Sequence, residues 1–406
     1  MPKRRACNCC YLSKHKPGYG MHILWCSNYS SQSGYAIQAR LIVPRLIAAG
    51  HRVTVLELAN GSRLPAEIEG VTIMPVGLDP LGADTLVDHY RRSGAHATLT
   101  LVDAWGLRPD IMRQVNWYPL TPIDTQPIAP AVLDSLKACQ RPIAYSLYGY
   151  AELQKVGLNP LYWPHGVDPA VWQPLDKQVA RARLGIPPQI FFASFVGVND
   201  SVAPNRKGIP ELLMAWQLFS AQHTGVKLYL HTSVHGNLPI SSTGGVQIDR
   251  IIQTLGIDPH TIQLVDQFRY RTGIPATELA TIAAASDVLV LPSTGEGFGL
   301  PLLEFQRVGC PVITTNFAAG AELCFSGWLL EGEPCWSWQS ALVMKPGVTS
   351  IVEALEAAYA DRDNPQRRHV AIERARDYDI DTLTAKYALP VLREIAEESL
   401  DRLQVA

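Results

Sequence analysis

The sequence predicts an α/β chain of two doubly wound domains, each a parallel sheet flanked by helices. Three observations predict it. Short apolar runs alternate with helical stretches from Met21 onward, as in a parallel sheet with helical crossovers. A turn cluster near the middle, Pro164-His165-Gly166-Val167-Asp168-Pro169 and then Pro174, interrupts the alternation, which restarts at Ile190. The 406 residues are enough for two domains of ordinary size.

Met21 to Cys26 reads as a first, buried strand. The loop Ser27 to Gly34 leads to a helix from about Ala36 to Ala49, stopped by Gly50-His51, and Arg52 to Glu57 is the next strand. In such a βαβ opening the turn after the first strand faces the ligand side. Pro44 lies within the helix and is expected to kink it. Further strands are expected at Val71–Val76, Thr98–Val102, Val115–Tyr118 and Pro142–Ser146, with Trp117 to Pro130 proline-rich and irregular. Residues 21–174 form the first domain and residues 175–380 the second. The second opens on the strand Ile190–Gly197 and a helix over Ile209–Gln222. Its later strands are expected at Val226–His231, Gln263–Val265, Val288–Leu291 and Val312–Thr315. From Ile351 to Gln404 the chain reads as helical, broken near Asn364–Pro365 and at Pro390. Within the segment 381–406, Val391, Leu392, Ile395, Leu400 and Leu403 mark one apolar helix face.

Hydrophobic residues make up 47% and charged residues 18%, a soluble globular balance. With a net charge of −2, no global basic field advertises nucleic acid or an anionic membrane. No apolar run reaches the roughly eighteen residues a membrane span needs. Five scattered cysteines, Cys26, Cys139, Cys310, Cys324 and Cys335, read as small buried hydrophobes in a reducing, cytoplasmic compartment. Residues 1–20 are basic and carry Cys7-Asn8-Cys9-Cys10, without the paired spacing or partner histidines of a zinc module. They are expected to be a disordered extension, with Met21 an alternative start.

The densest information lies in residues 287–311. The apolar strand Val288–Leu291 runs into a turn with Gly295, Gly297 and Gly299, and a helix begins near Leu300 with Pro301 in its first turn. Glu296 sits in the turn and Glu304 on the helix. The amides of Gly297, Phe298, Gly299 and Leu300 at the helix start suit an anion, and the carboxylates suit hydroxyl groups. A second basic element, Arg206-Lys207-Gly208, follows the first strand of the second domain and precedes a helix. It pairs a planar fork with a point charge, a combination that covers several phosphate oxygens. In the first domain Asp103 and Asp124 end or follow strands on the cleft side, and either could orient a hydroxyl. A turn-capping role fits each equally well.

The run Glu296-Gly-Phe-Gly-Leu-Pro-Leu-Leu-Glu304 resembles the signature of retaining glycosyltransferases of the GT-B fold (glycosyltransferase family 4-like, glycosyl transferases group 1), whose two glutamates are separated by seven residues. Pro164–Asp168 resembles that family's domain-opening motif, with His165 in the usual asparagine position. The resemblance implies two Rossmann-like domains and transfer of a hexose from a nucleotide diphosphate sugar, UDP- or GDP-linked, to an acceptor hydroxyl. It implies retention of configuration and neither metal nor further cofactor. By the same resemblance Glu296 faces the donor sugar, Glu304 holds the ribose, and Val265 and Gln267 wall the base. Gly34, in Ser33-Gly34-Tyr35, closes on the diphosphate, unless that turn is a simple helix cap by Ser33. Lys207 matches the family position, and Arg206 stands in for an arginine absent at Val198. The terminal helix would return to the first domain. The acceptor stays open among a glycan, a lipid-linked sugar, a small metabolite and a hydroxylated DNA base. A sugar-nucleotide epimerase or hydrolase, and an inactive binding protein, are the rival readings.

Overall fold

The structure is a computed structural model describing residues 20–59, 64–236 and 244–405, with side chains as far as residue 399. The cysteine cluster and most of the basic extension lie outside the described residues, as do the side chains of Leu400 and Leu403. The first sheet has strands β1 (His22–Ser27), β2 (Arg52–Glu57), β3 (Ala66–Ile68), β4 (Val71–Pro75), β5 (Ala97–Leu101), β6 (Trp117–Thr121), β7 (Ile143–Ala144) and β8 (Leu161–Tyr162). Their order is β3-β4-β2-β1-β5-β6-β7-β8, parallel except for the β3–β4 pair. The second sheet has β9 (Phe191–Val196), β10 (Val226–His231), β11 (Ile262–Leu264), β12 (Val288–Leu291), β13 (Val312–Thr315) and β14 (Gly327–Leu330), in the order β11-β10-β9-β12-β13-β14. Strands β1, β9, β12 and β13 are buried along their whole length. Helices cover both faces of each sheet, which explains apolar runs without alternation.

The strand order reverses at β1 in the first sheet and at β9 in the second. Ligand crevices of doubly wound sheets open at such switch points, beyond the carboxyl ends of the strands. The loops placed there follow β1 and β5 in one domain and β9 and β12 in the other. These are the loops that carry Gly34, Asp103, Arg206-Lys207 and Glu296.

The first helix, Gly34–Ala48, carries Pro44 in its interior. One sequence expectation needs correction. The last strand before the irregular segment is β6, which includes Pro119 although both its neighbours are paired. The reason lies in the ladder. Asn116 O accepts from Thr98 N on the β5 side, whereas Trp117 O accepts from Gln140 N on the other. The Pro119 nitrogen therefore faces β7, where pairing starts only at Leu120–Ile143, so no ladder bond is lost.

A buried ion pair ties the second domain's opening helix (Lys177–Leu184) to its sheet. Arg181 contacts Asp287 at 2.6 Å, and Asp287 also accepts from Phe192 N at 2.7 Å and Lys177 Nζ at 3.0 Å. After the helices Val348–Ala360 and Pro365–Ala375 the chain bridges Val167 to Asp379, passes a π turn over Thr384–Ala388 and enters the helix Leu389–Val405, with Pro390 in its first turn. Val391, Leu392 and Ile395 are buried there. Glu394 and Glu398 meet Arg141 at 2.5 and 2.7 Å, and Tyr118 donates to Glu398 at 2.8 Å, so this helix is fastened to the first sheet.

A separate hairpin, β15 (Gly332–Trp336) and β16 (Leu342–Pro346), spans the two domains. Met344 N donates to Thr294 O at 2.9 Å in the second domain. Gln126 and Leu342 exchange two backbone bonds of 2.9 and 3.2 Å with the first.

Candidate active site between the two domains

The glycine turn after β12 presses directly on the first domain. A Cβ at Gly295 would lie 2.3 Å from the Asp124 carbonyl oxygen, and one at Gly297 would lie 2.6 Å from the Pro122 Cβ. A Cβ at Gly34 would sit 3.4 Å from the Leu300 side chain. Only glycine allows this approach at Gly295 and Gly297. Gly299 has φ +99°, the left-handed region, and precedes the helix Leu300–Arg307 with Pro301 at its start. Ser33 caps the first helix by accepting from Ala36 N at 3.2 Å, so the capping role at that turn is real and coexists with the approach of Gly34 to Leu300.

Four predicted residues from three loops share this closed space. Lys207 Nζ contacts Glu296 Oε1, which also accepts from Ser293 Oγ at 2.5 Å. Burial pushes the Glu296 carboxyl upward, but Lys207 and Arg206 outweigh it and hold the group below the ordinary carboxylate range. Burial lowers the Lys207 ammonium, opposed by the attraction of Glu296. The Arg206 guanidinium feels Glu296, Asp124 and Asp103 together, yet makes no hydrogen bond or ion pair among the described residues. Burial raises the Asp124 carboxyl to about 6 against the pull of Arg206. Burial also raises Asp103, which accepts from Tyr35 Oη at 3.1 Å. The site thus holds two cations against three carboxyl groups, with one guanidinium unpaired; Lys207 and Glu296 are buried and Arg206, Asp103 and Asp124 half-buried, an arrangement in which an arriving anion interacts strongly.

Glu304 lies on the adjoining helix and is buried at 7% exposure. Among the described residues it has no hydrogen-bond or ion-pair partner, and burial alone raises its carboxyl to about 8. In the resting protein burial therefore favours its neutral form.

Val265 and Gln267 are not brought to this cluster. The Val265 side chain packs with Phe192, Tyr229 and Ile282. The Gln267 side chain is spent on backbone groups, accepting from Val234 N at 2.9 Å and donating to Thr232 O and Val265 O. They follow the edge strand β11, separated from β12 by β10 and β9.

Tyr145 carries no signal in the sequence, and His165 is marked there only as part of a turn motif. Tyr145 stacks on His165 at 4.1 Å and meets Phe298 edge-on at 6.3 Å. His165, read as a turn residue, is instead buried between Tyr145 and Phe298, with burial lowering its imidazole to about 3 and Nδ1 unbonded. No group of metal-ligating side chains occurs among the described residues, and no described helix is long and apolar enough to cross a membrane.

Comparison with known proteins places this geometry. Residues 193–361 match the family described as Glycosyl transferases group 1. A D-inositol 3-phosphate glycosyltransferase of Stackebrandtia nassauensis is 33% identical over 44% of this chain and 39% of its own length. One from Arthrobacter sp. is 29% identical over 44% and 40%. The chain thus aligns with about two fifths of the length of these relatives. Among solved structures, sucrose-phosphate synthase from Thermosynechococcus elongatus superposes with a TM-score of 0.73 at 19% identity, over 92% of this chain and 99% of that one. Anabaena HepE, solved with UDP and glucose, gives 0.66 at 14% identity, over 92% and 100%. These likenesses establish the GT-B fold.

Proposed function

We propose, from the match of residues 193–361 to the family described as Glycosyl transferases group 1, that the chain moves a hexose from a nucleotide diphosphate sugar to an acceptor hydroxyl with retention of configuration. The observation that carries the reading is the meeting of Arg206, Lys207, Glu296 and Asp124 in one interdomain space. Breaking the bond between the anomeric carbon and the diphosphate leaves negative charge on the diphosphate. Arg206, Lys207 and the amides at Gly297–Leu300 supply fixed positive potential there, so the leaving group is stabilised without a metal. In the retaining reaction the acceptor hydroxyl attacks from the face the diphosphate leaves. The departing phosphate oxygen accepts the hydroxyl proton, and no protein nucleophile is needed. Glu296 accepts hydrogen bonds from the donor sugar, and Glu304, unpartnered in the resting site, accepts from the ribose diol. Asp124 orients the acceptor hydroxyl or the sugar.

Relatives named D-inositol 3-phosphate glycosyltransferase support glycosyl transfer, and a neighbour solved with UDP and glucose supports a nucleotide-sugar donor. Lys207→Ala tests the reading. Turnover should fall on the order of 100- to 1,000-fold, more than donor affinity, and wild-type turnover should survive excess chelator with the donor's anomeric configuration kept in the product. A loss of only a few-fold in turnover would remove Lys207 from the leaving-group role.

A further inference from the structure

The chain has nine tryptophans. Trp25, Trp117, Trp163, Trp172 and Trp216 are buried, and Trp328 is half-buried under the Arg367 guanidinium. The other three are exposed: Trp105 at 41%, Trp336 at 67% and Trp338 at 59%. They are not scattered. Trp105 and Trp338 meet edge-on with ring centroids 5.1 Å apart, and Trp336 ends the strand that leads to Trp338. Isolated exposed apolar groups need no explanation, but a cluster of large aromatic faces left in water marks a surface that is covered during function.

The cluster is continuous with the proposed active site. Trp105 follows Asp103 by two residues. The hairpin carrying Trp336 and Trp338 is bonded to Thr294, two residues before Glu296, and to Gln126, two residues after Asp124. The aromatic rings are therefore held on the rim of the cleft by the loops that carry its carboxylates, on the side of the first domain. The surrounding charges narrow the occupant. Arg108 and Lys345, the basic residues nearest in the chain to these rings, are paired with Asp110 at 2.6 Å and Glu211 at 3.3 Å. Lys137, on the helix packed against the Trp105 turn, is paired with Asp134 at 2.7 Å. The patch offers flat apolar faces plus the side-chain amides of Gln126 and Gln339, which have no partner among the described residues. Aromatic faces with amides suit a pyranose ring, whose axial C–H groups form an apolar face and whose hydroxyls are neutral. They suit a phosphate-bearing ligand less well, because each of these cations already faces a carboxylate.

We infer that the acceptor is an uncharged oligosaccharide, one sugar ring of which stacks on Trp338, beside the perpendicular ring of Trp105, while the hydroxyl to be glycosylated enters toward Asp124. This rests on the glycosyltransferase reading above and adds the class of acceptor to it. The fixed pairing of the hairpin to both domains makes the rim a product of domain closure, so acceptor binding and closure support one another.

The test uses the full chain and the double variant Trp336→Ala/Trp338→Ala on an array of several hundred neutral and phosphorylated glycans, with saturating UDP. D-inositol 3-phosphate and a single-stranded oligonucleotide serve as soluble comparators. Wild type should retain a set of neutral oligosaccharides, and the hits titrated by calorimetry should lose at least about tenfold in affinity in the double variant. UDP affinity and thermal midpoint should be unchanged, which keeps a folding defect and a failure of the donor reading distinguishable from a failure of the patch. Retention of no neutral glycan would overturn the inference, as would equal glycan affinity in the double variant. So would tryptophan-dependent binding of the inositol phosphate or the oligonucleotide. If neither UDP nor GDP binds wild type, the donor reading fails instead.

Discussion

Glu304 gives the proposed donor site a proton that can be counted. Its carboxyl is buried, unpartnered among the described residues, and raised from 4.5 to about 8 by desolvation. The sign follows from which form the folded protein prefers. The neutral carboxyl is the favoured one, so its contribution to stability is intact below about 4.5 and is lost as the pH rises through about 8. Complete loss corresponds to about 5 kcal/mol, at about 1.4 kcal/mol per tenfold change in proton binding. A ribose diol donating two hydrogen bonds favours the ionised form. At pH 7 about nine-tenths of the resting protein carries the proton, so nucleotide binding should release about 0.9 proton, falling to about half at pH 8. Nucleotide affinity should rise with pH between about 5 and 8 and then level off. Calorimetry with UDP, and in parallel GDP, in buffers of different ionisation enthalpy measures the release directly. Glu304→Gln should abolish the release and flatten the unliganded protein's stability between those pH values. Tight binding of either nucleotide at pH 7 with no proton released, or with the same release from Glu304→Gln, would refute the ribose assignment.

Other consequences are equally direct. Asp124 is raised to about 6 by burial, so if its ionised form orients the reacting hydroxyl, turnover falls as pH drops through about 6. Asp124→Asn should be slow and lack that acid limb, and an identical limb in the variant would assign it to another group. Gly295→Ala places a methyl group 2.3 Å from the Asp124 carbonyl oxygen. It should hold the domains apart at a cost of about 1–3 kcal/mol, so small-angle scattering should find a larger radius of gyration with nucleotide bound than for wild type. Unchanged scattering and unchanged turnover would show that this contact is not part of the working state. Arg181→Met leaves Asp287 buried without its guanidinium and should lower unfolding stability by about 3–5 kcal/mol in denaturant titration. A change under about 1 kcal/mol would mean that Lys177 and Phe192 N suffice for Asp287.

The second domain was the more legible in sequence, for a physical reason. Val226–His231, Val288–Leu291 and Val312–Thr315 are apolar runs bounded by glycine, proline or polar turns, and the strands occupy those spans. Arg206, Lys207 and Glu296 lie in two short loops beside adjacent strands, so spacing alone puts them near one another. Asp124 reaches them only through docking of the first domain on Gly295, which no local pattern encodes. The edge strands Ala66–Ile68 and Leu161–Tyr162 are too short to leave a periodic trace. The hairpin Gly332–Pro346 has no apolar alternation. Proline sits at Pro334 and Pro346, and pairing is set by backbone bonds to Thr294 and Gln126 from different domains. Tyr145 and His165 were opaque because their partner Phe298 is more than a hundred residues away in the chain.

Sugar transfer from a nucleotide to an acceptor at the interdomain site is read most directly by incubating the protein with UDP- and GDP-hexoses, with and without neutral oligosaccharides, and following free nucleotide and glycan mass together. Nucleoside diphosphate release should be accelerated by acceptor and matched mole for mole by a glycan heavier by one hexose. Release without any acceptor product, a free or epimerised sugar in its place, or no release from any donor would contradict it.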